Sequence, residues 1–175
     1  MTAPGDELVD VVDDAGRPIG RTTRRDMRAR RLPHRSVYVL VFNTAGGLYV
    51  HLRTDTKDVF PGRWDVAVGG VLAAGEDFPA AAARELHEEL GVHAPLEPLF
   101  PFRFPPERPQ VHGMVYRARH DGPFRLQVEE IVRGEFRSWA ALDEAVVRDR
   151  FCPDGLAVLA AYRAHVAPEG APCAS

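Results

Sequence analysis

The sequence predicts an α/β protein of the mixed, α+β kind, a mixed β-sheet sandwiched between helices with a short β-hairpin at the N-terminus. Three observations lead there. Strand-like runs rich in Val, Tyr and Phe are interleaved with helical runs, several neighbouring strands are joined by turns too short for a crossover, and no segment repeats at a fixed period. A regular parallel βαβ array does not fit that order. With 175 residues, 45% of them hydrophobic, the chain has enough apolar material for a core of its own, and it reads as a single domain over 1–175 with an ordered core of about 7–167.

Taken in order, Leu8 to Val12 reads as a strand, Asp13 to Gly16 as a turn and Ile19 to Arg21 as its return strand. Thr23 is placed to cap a basic helix running to Arg31, ended by Pro33, with its arginines on a solvated face. Ser36 to Phe42 and Leu48 to Arg53 flank Thr44-Ala45-Gly46-Gly47 and form a hairpin of central strands. Trp64 to Val68 is a further short strand, stopped by Gly69 and Gly70. A helix follows from Phe78 to Leu90, with Asp77 as N-cap, Pro79 tolerated in the first turn and Gly91 as the stop. Leu96 to Phe104 and Val111 to Arg119 read as strands across a Pro-rich turn that contains Pro105, Pro106 and Pro109. Gly134 to Trp139 is the last strand. Helices over Leu142 to Arg150 and Leu156 to Val166 complete the chain before a disordered tail from Ala167.

Charge and cysteine usage exclude several classes of function. Twenty-two basic and 25 acidic residues leave a net charge of -3, which argues against an extended polyanion such as nucleic acid as partner while leaving a small phosphorylated ligand open. Among the basic residues Lys57 is the single lysine. Cys152 and Cys173 form no metal or redox spacing, the first ten residues carry acids instead of a basic leader, and no apolar run approaches the roughly 20 residues that span a bilayer. The expectation is a cytoplasmic protein without a membrane partner; oligomeric state is left open.

Chemistry concentrates on the Phe78 to Leu90 helix. Glu85, Glu88 and Glu89 stand at i, i+3 and i+4 and share a face, while Phe78, Ala82, Leu86 and Leu90 supply an opposite, buried one. Like charges at such spacings weaken a helix by roughly 0.2 to 0.5 kcal/mol per pair, and acids at its C-terminal end oppose the dipole. Either water solvates them or a hard divalent cation unites them, as Mg2+ does when it sits between carboxylates and phosphate oxygens.

Read from Gly70, the chain runs Gly-x5-Glu-x7-Arg-Glu-Leu-x-Glu-Glu-x-Gly-Val, through Glu76, Arg84, Glu85, Leu86, Glu88, Glu89, Gly91 and Val92. Over residues 70–92 this resembles the Nudix hydrolase signature at every specified position. The resemblance implies the Nudix fold and Mg2+-dependent cleavage, with Mn2+ as an alternative ion, of a diphosphate linked to another group. It further implies Glu85, Glu88 and Glu89 as metal ligands, the Gly70 carbonyl as another, and Arg84 and Glu76 holding the signature loop to its helix, with Gly91 closing it. One carboxylate takes the proton of the attacking water, here assigned to Glu85. A ligand from outside the signature is common in the family; Glu129 and Glu130 are placed for it, Glu130 preferred, an exposed acidic turn being the other reading.

Asp10-Val11-Val12-Asp13, Gly16 to Gly20, Arg31 to Arg35 and Arg53-x3-Lys57-x2-Phe60-Pro61-Gly62 look like the branch related to type 1 isopentenyl-diphosphate isomerase, and with the signature they extend the resemblance over most of residues 8–140. In that isomerase the counterparts of Arg53 and Lys57 bind the diphosphate. Two departures weigh against isomerisation. Val66 to Gly70 holds no cysteine where the isomerase carries its catalytic one, and of its metal-binding histidines His34 alone has a match, which also suits a structural histidine. Trp64, Phe104 and Tyr116 read as core aromatics or as pocket lining. The expected activity is hydrolysis of a diphosphate linkage in a nucleoside diphosphate derivative or a similar small organic diphosphate. Isomerisation of isopentenyl diphosphate and a catalytically silent nucleotide sensor are the alternatives.

Overall fold

A 3-10 turn at Pro4–Asp6 opens the described part of the chain, a computed structural model covering residues 4–107 and 110–167. Strands β1 (Leu8–Val12) and β2 (Pro18–Thr23) pair antiparallel around a turn in which Asp13 Oδ1 accepts the Ala15 and Arg17 amides, so the expected hairpin is present. Thr23 caps α1 (Arg24–Ala29), its hydroxyl accepting the Asp26 amide at 3.1 Å. The helix is shorter than the sequence suggested. Arg31 takes a left-handed conformation at φ 51° and Leu32 returns its amide to Met27, which turns the chain ahead of Pro33.

Strands β3 (His34–Phe42) and β4 (Leu48–Arg53) meet at the Phe42 and Leu48 pair and then diverge. Strand β7 (Val111–Arg119) lies parallel to β3 along its whole length, β6 (Glu97–Phe104) runs antiparallel to β7, and β8 (Ile131–Arg137) antiparallel to β4. Residues 64–71 occupy the opening between β3 and β4. Strand β5 is reduced to Trp64–Asp65 on β4, after which Val68 and Val71 bridge to Val39 and Ser36 of β3. The expected strand to Val68 is therefore broken, because the segment changes partner midway. The eight strands among the described residues belong to one mixed sheet.

Period-two alternation on β3 divides the core. Tyr38, Leu40 and Phe42 face α3 (Trp139–Arg148) and α4 (Pro153–Val166), packing with Trp64, Phe102, Leu142, Phe151, Val158 and Tyr162. Val37, Val39 and Val41 face α2 (Phe78–Leu90) and pack on Ala82, Leu86, Leu90, Tyr116 and Ile131. Helices thus cover both faces, as expected. The last strand begins and ends earlier than the sequence suggested, since Ser138 accepts the Ala141 amide and starts α3 at Trp139. Helix α4 likewise starts early, at Pro153, whose missing amide costs nothing in a first turn. Residues 168–175, including Cys173, and Pro109 lie outside the described residues. No described helix is long and apolar enough to cross a membrane.

One buried acid ties the N-terminal hairpin to the loop that precedes α2. Asp10 is 5% exposed and accepts from Arg35 at 2.8 Å, from the Gly75 amide at 2.8 Å and from Arg21 at 3.2 Å. Burial by itself would raise its pKa, but the Gly75 amide, Arg21 and Arg35 outweigh it and hold the carboxyl below the usual value. A carboxyl depressed on folding stabilises above its unfolded pKa and loses that contribution as pH falls through the folded one. Asp10→Asn should therefore cost about 2 kcal/mol in chemical denaturation at pH 7, and the gap from the unaltered chain should shrink as the pH is lowered toward 3.

Candidate active site

Helix α2 begins where Asp77 accepts the Ala80 amide at 2.8 Å and stops at Gly91, left-handed at φ 70°. The loop before it is clamped to it by Arg84. Nε and Nη2 of Arg84 bond the two carboxylate oxygens of Glu76, each at 2.9 Å, while Nη1 reaches Glu85 at 2.8 Å and Glu88 at 3.1 Å. Glu76 also accepts the Ala73 amide. One guanidinium fork thus joins the loop and three of the signature acids.

Contrary to the single acidic face opposite the core, the three glutamates divide. Glu85 and Glu89 are buried, at 7% and 3% exposure, and Glu88 faces solvent. The loop backbone closes on the buried pair. The Gly69 amide donates to Glu89 Oε1 at 3.1 Å, and a Cβ on Gly70 would lie 2.5 Å from Glu85 Oε1, so that position has no room for a side chain. Burial raises the pKa of both. Arg84 opposes the rise at Glu85; at Glu89 the charges of Glu85 and Glu130 add to it, with Lys57 and the Gly69 amide pulling the other way. His51 is fully buried with Nε2 4.0 Å from Glu89, yet burial, Arg53 and Lys57 lower its pKa to about 3, so it supplies no positive charge near neutral pH.

Glu85 and Gly70 line a cavity of about 550 Å3. Of the other expected residues, Arg53, Lys57, Glu130 and His34 also line it. Lys57 and Glu130 pair with each other at 2.5 Å, and Glu129 is exposed, offering only its carbonyl to Thr54. Arg53 donates to the Val59 carbonyl at 3.0 Å. His34 is occupied by the Leu32 carbonyl at 2.9 Å, and burial lowers its pKa. Phe104 and Pro105 line the cavity, whereas Trp64 and Tyr116 belong to the core.

The sequence reading missed two groups. Arg24 and Arg28 stand one turn apart on α1, flank the buried Met27 and line the cavity, where a solvated face was expected. Burial and the nearby charges of Arg24 and Arg53 lower the pKa of Arg28, an effect that Asp58 and Glu130 only partly offset. The i, i+4 spacing around Met27 was the available signal. Asp65, Asp154 and Tyr38 also line the cavity, and they come from three separate elements. No sequence spacing links them.

As to a metal, no three His, Cys, Asp or Glu side chains among the described residues form a ready ligand cluster, because Glu85 and Glu88 are turned to Arg84 and Glu130 to Lys57. The donor chemistry nonetheless suits one. The charge of buried Glu85 raises the cost of ionising Glu89, and the side-chain donors that the signature supplies are carboxylate oxygens, the set a hard divalent cation prefers.

A model of the NUDIX domain family matches residues 32–162. A protein of Pseudomonas aeruginosa is 43% identical over 158 residues, 89% of this chain and 93% of its own length, and one of Streptomyces coelicolor is 39% identical over 94% and 92%. Both are described as uncharacterized Nudix hydrolases. A crystal structure from Deinococcus radiodurans superposes with a TM-score of 0.78 at 28% identity, covering 89% of this chain and 98% of that one. The MutT protein of Methanosarcina mazei, at 23% identity and a TM-score of 0.58 over 71% and 88%, shares the fold. With a family match across most of its length and relatives of this identity over nearly all of it, the chain belongs to the Nudix hydrolase family.

Proposed function

We propose that this Nudix pyrophosphohydrolase uses Mg2+, or Mn2+ in its place, to cleave the diphosphate linkage of a nucleoside diphosphate derivative or a similar small organic diphosphate. The observation that carries this is the burial of Glu85 and Glu89 one turn apart on α2, with Glu85 lining a cavity that also presents Arg24, Arg28, Arg53 and Lys57. Glu85, Glu88, Glu89, Glu130 and the Gly70 carbonyl would hold the ion. When bound, it would neutralise phosphate oxygens and make water a better nucleophile.

The chain's own groups supply the rest. Arg53 and Lys57 take the diphosphate, the first as a fork and the second as a point charge, which requires Lys57 to leave Glu130. Glu85 accepts the proton of the attacking water. Arg84 is a positioning residue, holding Glu85 while its other bonds fix Glu76 and hence the loop. Neither isomerisation nor silent sensing gains support. None of residues 66–70 is a cysteine, and a Cβ on Gly69 would lie 2.1 Å from the Val37 carbonyl oxygen.

Incubation with Mg2+ and a panel of nucleoside diphosphates, nucleotide sugars, dinucleotides and isopentenyl diphosphate should release phosphate products from one or more members, and isomer formation alone would refute hydrolysis. Glu85→Gln and Glu89→Gln should each lower kcat about 10²- to 10⁴-fold with the fold retained by circular dichroism; unchanged turnover in both rules out a catalytic α2. Lys57→Ala should lower kcat/KM about tenfold or more, and a loss below about twofold would remove Lys57 from the phosphate site.

A further inference from the structure

Strand β3 changes character along one face. Phe42, Leu40 and Tyr38 pack under α3 and α4, the Tyr38 hydroxyl reaching Asp154 in the first turn of α4. Beyond Tyr38 the same face continues through Ser36 and His34 into the cavity. The sheet register makes an amphipathic patch there. Phe104, Val111 and His34 stand opposite one another across β6, β7 and β3, and the Gln110 carbonyl accepts the His34 amide at 2.8 Å; all four residues line the cavity.

Three polar side chains of this patch keep hydrogen-bonding capacity that the protein does not use. The Ser36 hydroxyl and the Gln110 side-chain amide have no partner among the described residues, and neither is sealed from solvent. His34 Nδ1 lies 2.9 Å from the Leu32 carbonyl, so that nitrogen carries the proton. Burial, then the charges of Arg28, Arg24 and His112, lower the His34 pKa in spite of that carbonyl. The ring is therefore neutral at pH 7, and Nε2 is left as an acceptor that has no partner and is not sealed off either. An ionised phosphate has no proton to give such a lone pair, so the patch does not serve the diphosphate. Hydroxyls suit all three groups, because a hydroxyl donates to the imidazole, accepts from the glutamine amide and does either with Ser36. An ammonium has no lone pair for the amide. Phe104 and Val111 add apolar surface for the C–H face that a sugar ring carries beside its hydroxyls.

We propose that His34, Ser36, Gln110 and Phe104 form the subsite for the organic group carried by the diphosphate, and that this group is a sugar presenting vicinal hydroxyls to the three polar side chains. The inference rests on the diphosphate-cleaving reading above and narrows its substrate class. Arg53 and Lys57 hold the phosphates, and the row across β6, β7 and β3 holds the sugar.

The test uses binding, so that it stands apart from turnover. Three methylene-bridged diphosphonates, which cannot be hydrolysed at the bridge, are titrated calorimetrically into the full chain with Mg2+: the ribosyl ester, its 2,3-dideoxyribosyl counterpart, and methylenediphosphonate without an organic group. The ribosyl ester should bind about tenfold more tightly than the dideoxy one. Ser36→Ala and His34→Phe should each shrink that ratio to within about threefold, and His34→Gln, which keeps an acceptor, should retain more of it than His34→Phe. Methylenediphosphonate should bind every variant within about twofold of the unaltered chain. Ser36→Ala removes an oxygen without a partner and carries the test alone should the histidine variants not fold by circular dichroism. Equal binding of the two esters, or a ratio unmoved in the folded variants, overturns the proposal. So does a matching loss of methylenediphosphonate affinity, which would put these side chains on phosphate or metal. Selective binding without cleavage of the corresponding ribosyl diphosphate would sustain it and refute hydrolysis; cleavage without selectivity would do the reverse.

Discussion

The structure depends on how Arg84 and two glycines hold like charges together. Glu85 and Glu89 are one turn apart on α2 and buried, an arrangement that electrostatics opposes on every count. Arg84 offsets part of that cost at Glu85 and the Gly69 amide part of it at Glu89. The same guanidinium grips Glu76, so the carboxylates, the helix and the preceding loop are fixed as one unit. Glycine is required at both loop positions for steric reasons, since a Cβ would run into the Val37 carbonyl oxygen at Gly69 and into the Glu85 carboxylate at Gly70. The signature is therefore one mechanical device in which charge and backbone approach are inseparable.

The divergence of β3 and β4 gives that device its place. Because the two strands share little beyond their hairpin end, residues 64–71 can cross from one to the other and bring Asp65, Ala67, Gly69 and Gly70 to the cavity. The groups proposed for substrate and metal are meanwhile paired with each other. Lys57 holds Glu130, Arg84 holds Glu85 and Glu88, and Arg28 holds Asp58. Such pairing spares buried charges from standing alone, and binding of a cation and a phosphate would exchange partners without creating net charge. That keeps the free-energy cost of assembling the site modest despite its many ionised groups.

Local signals in the sequence conveyed much of this and non-local ones did not. The N-cap Asp77, the stop at Gly91, the i, i+3, i+4 acids and the Val-rich strands are each written within a few residues, and β1, β2, β4, α2 and β7 lie where those signals put them. The sandwich followed from their order. Burial of Glu85 and Glu89 was not legible, because it comes from the approach of a loop whose path depends on the splay of two strands. The basic cavity wall was read as solvent-facing, as arginines on a short helix usually are, until Met27 is seen to be buried between them. Asp65 and Asp154, 89 residues apart, meet only because α4 starts beside β5, where the Cys152 amide bonds the Trp64 carbonyl.

Geometry also explains why a chain that resembles an isomerase branch carries hydrolytic chemistry. Isomerisation of a hydrocarbon diphosphate by a cysteine needs a thiol at the cavity and an apolar site for the carbon skeleton. The first condition is not met. Gly69 lies in left-handed backbone at φ 155° with the Val37 carbonyl oxygen where a side chain would begin, so a thiol there would demand a different loop path. Cys152 is buried beside Asp65, and burial raises its pKa far from the thiolate a reactive cysteine requires. Apolar side chains do line the cavity, Met27, Val59, Phe60, Phe104 and Val111 among them, so it is the missing thiol that decides. What separates this chain from that branch is the missing thiol. A balanced net charge of -3 gives no sign of this cavity, because its basic and acidic side chains pair with one another, Lys57 with Glu130 and Arg53 with Asp65.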